Sequence, residues 1–380
     1  MTTNRLQRLH EAGQSVWLDF IDRATLHGSE LARRIREDVL TGMTSNPTIF
    51  EKALAEGTAY DEQIRTADET DAHALFELVA TTDVREACDA FRGVYDATNG
   101  TDGFVSIEVS PGAAHDAEGT IAEARRLWAE VDRPNLMIKV PGTTEGLPAI
   151  RRLIAEGINV NITLLFAVEA HRRVIDAYMA GLEDRVAAGH PIDRLASVAS
   201  FFVSRVDTEI DKRLDLLAAE AQNGELAHCL SLKGKAAIAN AKLAYRLFQR
   251  EFATPRWKAL AARGAHVQRP LWASTSTKNP AYRDVMYVEA LIGPDTVNTM
   301  PPATIDAFRD HGETARTVDR DVDEAERLLA ELETLGISID EVTDKLLAEG
   351  LASFQKSYDT LIGGLARKAE SLGKHLAGRS

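Results

Sequence analysis

Eight short runs, each almost continuously apolar and each followed by a stretch of helical period, limit what this chain can fold into. They are Val16–Phe20, Val39–Pro47, Gly103–Ser110, Leu136–Gly142, Ile158–Phe166, Ala196–Ser204, Arg269–Thr277 and Thr296–Pro301. A strand with one wet face alternates apolar and polar residues. Most of these runs do not, so they suit parallel strands covered on both faces. The unit from Leu136 to Phe166 shows the pattern. A strand ends at Pro141-Gly142, a short helix carries Pro148 in its first turn and Gly157 at its end, and a second strand follows. That spacing is one right-handed βαβ crossover. Eight such strands alternating with helices predict an α/β fold, a closed (β/α)8 TIM barrel; an open doubly wound sheet is the other arrangement they allow.

A bare barrel takes about 250 residues, and this chain has 380. The surplus falls in an N-terminal helix, a helical insertion over 222–265, and a C-terminal extension over 305–380 that reads as helix from Ile305 onward. Leu328, Leu329, Leu332 and Leu335 mark one apolar face of that tail. With no repeat and no Pro/Gly/Ser linker, residues 1–380 read as a single barrel domain with added helices. Composition removes several classes. The 58 acidic against 44 basic side chains give a net charge of −14, which argues against nucleic acid as partner. No apolar run reaches the roughly 18 residues of a membrane span, and the first residues lack a signal-peptide core. Cys88 and Cys229 sit in helical patterns and read as reduced buried thiols. A cytoplasmic enzyme is expected.

Polar residues inside these runs are the candidates for chemistry, because barrel sites form at the C-terminal strand ends. Lys139, in Leu-Met-Ile-Lys-Val-Pro-Gly, has apolar neighbours on both sides. A desolvated lysine yields a neutral amine that attacks carbonyls, while a lysine ion-paired at a barrel mouth is the plain alternative. Glu108 holds the same position one strand earlier, as its proton partner or simply its counter-ion. Asn159, Asn161 and Thr163 share one strand face by period 2, suiting either a polyhydroxylated ligand or an internal polar network. Asp19 ends the first strand and Asn46 follows the second; alone, these are cap and turn signals. Ser200 and Arg205, after strand six, and Ser276 and Lys278, after strand seven, offer donors for an anion, although such clusters are common in loops. Asp319–Asp323 has the acidic spacing of a calcium loop, but Glu324 replaces its glycine and Ala330 its final ligand. No HExxH, GxGxxG, P-loop or GxSxG pattern is present, so neither a metal nor an organic cofactor is expected.

Taken together, GMTSNPTIFEKAL, VSIEV, LMIKVPGTTEGLPAI, INVNITLLF, ASFFVSRVD and LASFQKSYDTLI, in that order, resemble the transaldolase family in its longer bacterial form. The resemblance implies a class I aldolase barrel that moves a dihydroxyacetone unit through a lysine Schiff base. The implied reaction, in the pentose phosphate pathway, converts sedoheptulose 7-phosphate and glyceraldehyde 3-phosphate to erythrose 4-phosphate and fructose 6-phosphate. By the same resemblance Lys139 is the Schiff-base lysine and Asp19 the acid/base for carbon–carbon cleavage. Glu108 acts through a water that Thr163 helps to hold. Asn46 and Asn161 grip the dihydroxyacetone unit, Phe202 lines the pocket, and Ser200 and Arg205 contact phosphate. The family's second phosphate arginine often lies in an Ala-Ser-x-Arg-Asn loop, where this chain has Lys278, keeping the charge without the bidentate fork. Two alternatives remain: an aldolase of the same fold that releases free dihydroxyacetone from fructose 6-phosphate, and a non-catalytic sugar-phosphate-binding barrel. Monomer and homodimer are equally compatible with the sequence.

Overall fold

The computed structural model describes residues 4–55, 57–220 and 224–376. The start of the expected insertion at 222–223 and the last four residues of the expected extension lie outside them. Eight parallel strands close on themselves in sequence order: β1 (Gln14–Asp19), β2 (Leu40–Thr44), β3 (Phe104–Glu108), β4 (Leu136–Pro141), β5 (Val160–Leu165), β6 (Ser197–Phe202), β7 (Arg269–Ala273) and β8 (Thr296–Met300). The chain is a TIM barrel. Seven of the expected runs contain a whole strand, while β1 begins two residues ahead of its run at Gln14; the runs overshoot at their ends because the residues after each strand, such as Asn46 and Pro47, are turn and helix-start residues.

Nearly every strand residue is buried, since helices cover one face and the bore the other. Period 2 aims Ser15, Trp17 and Asp19 of β1 into the bore, from its base to its mouth. The indole of Trp17 needs an empty place on β2: a Cβ on Gly42 would stand 2.6 Å from it. Glycine there is therefore a packing requirement, two residues before Thr44 at the mouth.

Within the expected insertion, the helices Gly224–Leu232, Ala236–Glu251 and Pro255–Ala261 follow β6 and precede β7 in the chain. Ala236–Glu251 is held against the barrel where Asp207 accepts from the Ala237 amide at 2.7 Å and Asn240 donates to the Phe166 carbonyl at 2.7 Å. The tail differs from its expected continuous helix. Between Pro302–His311 and Val322–Thr334 the chain is non-helical, and the Thr317 and Val318 amides both donate to the Ile292 carbonyl at 2.9 and 3.1 Å. Docking on the barrel therefore takes amides that a helix would have used. Asp321, inside the acidic stretch, adopts a left-handed conformation and starts the second of these helices.

The last helix, Ile339–Ser371, begins at a Ser338 cap and packs against the Pro47–Ala55 helix and β5. Gly350 permits the approach, because a Cβ would stand 2.9 Å from Leu164 and 3.6 Å from the Arg205 guanidinium. Thr48 donates to Ser357 at 2.9 Å, and Lys368 donates to the Leu54 and Gly57 carbonyls. The tail thereby reaches the strand ends where the polar residues collect. Among the described residues no helix is long and apolar enough to cross a membrane.

Candidate active site

The register of three adjacent strands builds the site's central row. Glu108 of β3 pairs with Lys139 of β4, and Lys139 pairs with Asn161 of β5. Lys139 is 5% exposed, its Nζ donating to the Ser45 carbonyl at 2.9 Å and reaching Glu108 Oε2 at 3.4 Å. An isolated ammonium is costly in such a place, so the carbonyl and the carboxylate are its compensation. Burial raises the Glu108 carboxyl above its ordinary value, with Lys139 pulling it down and Asp19 adding to the rise. Its Oε1 and the hydroxyl of Thr163 are buried without a protein partner. In a finished core such atoms are paired; beside a lysine they mark donors and acceptors kept for something else.

Across the bore, Asp19 Oδ1 accepts from the Thr44 hydroxyl at 2.7 Å. Burial pushes this carboxyl above 3.8, while Lys139, Thr44 and Lys278 work against the shift. Asn161 is fixed from both sides, donating to Ser106 Oγ at 3.0 Å and accepting from Ser200 Oγ at 2.7 Å. Asn46 accepts from the Ile49 amide at 3.0 Å, which caps the Pro47–Ala55 helix and leaves its amide nitrogen free of that cap.

Cations sit toward β6 and β7. The Arg205 guanidinium lies 5.3 Å from the Phe202 ring centroid. Burial disfavours its charge, which Glu349 partly offsets. Lys278 donates to Ser276 Oγ at 2.9 Å. Partial desolvation at the rim, then the Arg205 charge, lower its ammonium from the usual lysine value. An anion placed between these groups gains charge-assisted hydrogen bonds from both.

Asp19, Asn46, Lys139, Thr163, Ser200, Phe202, Arg205, Ser276 and Lys278 all line one cavity of about 390 Å³ at the mouth. Glu108 and Asn161 stand behind it, bonded to Lys139 and Ser200 respectively. Asn159 is not with them. Its amide donates to the Pro134 and Leu136 carbonyls and accepts from the Ala196 amide, so it ties strand starts together at the other end of the barrel. Sequence reasoning passed over Thr44, Lys52, Thr299 and Phe354, which also line the cavity. Thr44 lay inside a motif already noted, but a threonine in a strand carries no signal of its own. Phe354 comes from the tail helix, where apolar periodicity gives a face and not the object it meets. Among the described residues no His, Cys, Asp and Glu side chains group as a metal site.

Known proteins resemble this chain over nearly its full length. Residues 16–365 match the model of the family described as Transaldolase/Fructose-6-phosphate aldolase. A transaldolase of Acidothermus cellulolyticus is 51% identical over 374 residues, covering 97% of this chain and 98% of its own length. Those of Saccharopolyspora erythraea and Frankia alni are 51% and 49% identical, covering 95% and 96% of this chain and 97% and 98% of their own. The chain belongs to the Transaldolase/Fructose-6-phosphate aldolase family.

Proposed function

We propose that this protein is a transaldolase, a transferase that carries a dihydroxyacetone unit from one sugar phosphate to another through a Schiff base on Lys139. The observation that carries the reading is a buried amine in contact with one carboxylate, with a second carboxylate across the bore and cations at the far side of the same cavity. The deprotonated Lys139 amine adds to the keto carbon of the donor, and the carbonyl electrons move to its oxygen. One proton from the attacking nitrogen and one from Glu108, both passed through a water that Thr163 helps to hold, let this oxygen leave as water, and an iminium forms. Asp19 then takes the proton of the hydroxyl one carbon beyond the bond to be broken. That bond's electrons flow to the iminium nitrogen, an aldose phosphate departs, and an enamine remains, held by Asn46 and Asn161. An acceptor aldose phosphate enters, the steps reverse, and water releases the new ketose phosphate and the free lysine. Ser200, Arg205, Ser276 and Lys278 bind the phosphate, and Phe202 shapes the wall beside it. In each step the protein's contribution is positioned proton transfer and covalent stabilisation.

The reading places the enzyme in the cytoplasm and the pentose phosphate pathway, acting on sedoheptulose 7-phosphate and glyceraldehyde 3-phosphate. We take residues 1–380 as one functional barrel, with 222–265 as its insertion and 305–380 as its extension. The full-length likeness to proteins named Transaldolase supports transfer over release of free dihydroxyacetone. The discriminating assay supplies fructose 6-phosphate with and without erythrose 4-phosphate. Transfer predicts sedoheptulose 7-phosphate formation that depends on the acceptor. Release of dihydroxyacetone at a comparable rate without acceptor would replace this reading with the aldolase one.

A further inference from the structure

Thr44 Oγ1 has two partners, Asp19 Oδ1 at 2.7 Å and Thr299 Oγ1 at 2.6 Å. The hydroxyls come from β2 and β8, the two strands flanking β1, and both residues are buried, at 2% and 4% exposure. A hydroxyl has one hydrogen to give, and an ionised carboxylate only accepts. Thr44 must spend its hydrogen on Asp19, so Thr299 must donate to Thr44. The ionised Asp19 thus fixes the sense of the whole chain, and each bond in it polarises the next. We propose that Thr299 is a positioning residue for the reaction: its hydroxyl orients that of Thr44, which holds the Asp19 carboxylate ionised and aimed at the substrate hydroxyl. The inference rests on the reading of Asp19 as the acid/base.

The charged groups facing Asp19 are Lys139 from β4, Lys278 from the loop after β7 and Glu108 from β3. The flanking strands β2 and β8 carry no charged residue, and beyond burying Asp19 they reach it through the hydroxyl chain. Removing the terminal donor weakens the bond that stabilises the charged form and displaces titration of Asp19 upward.

The test follows single-turnover release of aldose phosphate against pH for the wild type, Thr299→Val, Thr299→Ser and Asp19→Asn, each checked for folding by Tm. The valine variant should trap donor on Lys139 as the wild type does. Its acid limb for cleavage should move up by about half a pH unit, and the serine variant should restore it. A folded valine variant with the wild-type acid limb overturns the inference, provided Asp19→Asn is defective in cleavage. Normal cleavage by Asp19→Asn overturns the acid/base reading itself. If the valine variant does not fold, Thr299→Ala, which keeps the strand and removes the same donor, is read by the same criteria.

Discussion

At the base of the barrel the carboxylate of Asp102 accepts from Ser15, from the Trp17 indole at 2.9 Å and from the Gly103 amide at 3.0 Å, with Arg269 at 3.4 Å. At the mouth, Asp19 accepts from the Thr44 hydroxyl, lines an open cavity, and is held above its ordinary value by burial. The two residues are the same type in the same bore, separated by the length of a strand. Asp102 has the donors it needs and ties β1 and β7 to the start of β3. Asp19, like Glu108 and Thr163 near it, is left with capacity to spare. Asp102 at the base is finished structure, whereas the carboxylates at the mouth are kept in a state that costs stability and allows proton transfer.

Opposite outcomes follow for opposite ends, and the largest is at the mouth. Asp19→Asn should slow carbon–carbon cleavage by about 10²- to 10⁴-fold while the Schiff base still forms, as read by single-turnover kinetics and trapping. It should also stabilise the fold at neutral pH. A carboxyl raised by burial binds its proton more tightly folded than unfolded, so its favourable contribution is complete below 3.8 and is lost as pH rises through the folded value. The gain in Tm over wild type should therefore shrink toward zero as pH falls below 3.8. An asparagine variant that is no more stable than wild type at pH 7 would erase the contrast with the base.

Asp102→Ala should do the reverse. Breaking a buried pair leaves Arg269 uncompensated and costs about 3–5 kcal/mol, a large part of an ordinary domain's stability. Denaturant unfolding should show that loss, and turnover per folded molecule should stay close to wild type. A strong fall in turnover would mean that the base takes part in the chemistry.

The smallest effect sharpens the comparison most finely. Thr163→Val removes a hydroxyl with no protein partner, so stability should hold or rise slightly. Formation of the Schiff base should slow by about tenfold, the scale of one lost hydrogen bond. Equal rates of adduct formation in valine variant and wild type would remove Thr163 from the water-handling role.

How much of this was legible beforehand follows from the same physics. The strands were, because parallel strands covered on both faces leave continuous apolar runs. Lys139 and Glu108 stood out, because a charge inside such a run demands either a partner or a role, and the sequence left both readings open. Thr44 and Thr299 were not, since threonine is at home in any strand and their meaning lies in the closure of β1 between β2 and β8. Asn159 misled because strand period gives a face of the barrel and not a height along its bore. The tail's path over the mouth depends on Gly350 meeting Leu164, a long-range fit that helical periodicity does not encode. The break after His311 was hidden for a similar reason: its amides turn to Ile292, a residue of the barrel.

Everything proposed for the mouth turns on Lys139 forming the covalent bond, which borohydride trapping reads directly. The protein is incubated with fructose 6-phosphate, reduced with borohydride, digested, and the modified peptide located by mass spectrometry. A single reduced adduct should appear on Lys139, lost in Lys139→Ala and diminished when an acceptor aldose phosphate is added before reduction. No adduct, or an adduct on another lysine such as Lys52 or Lys278 of the same cavity, would contradict it.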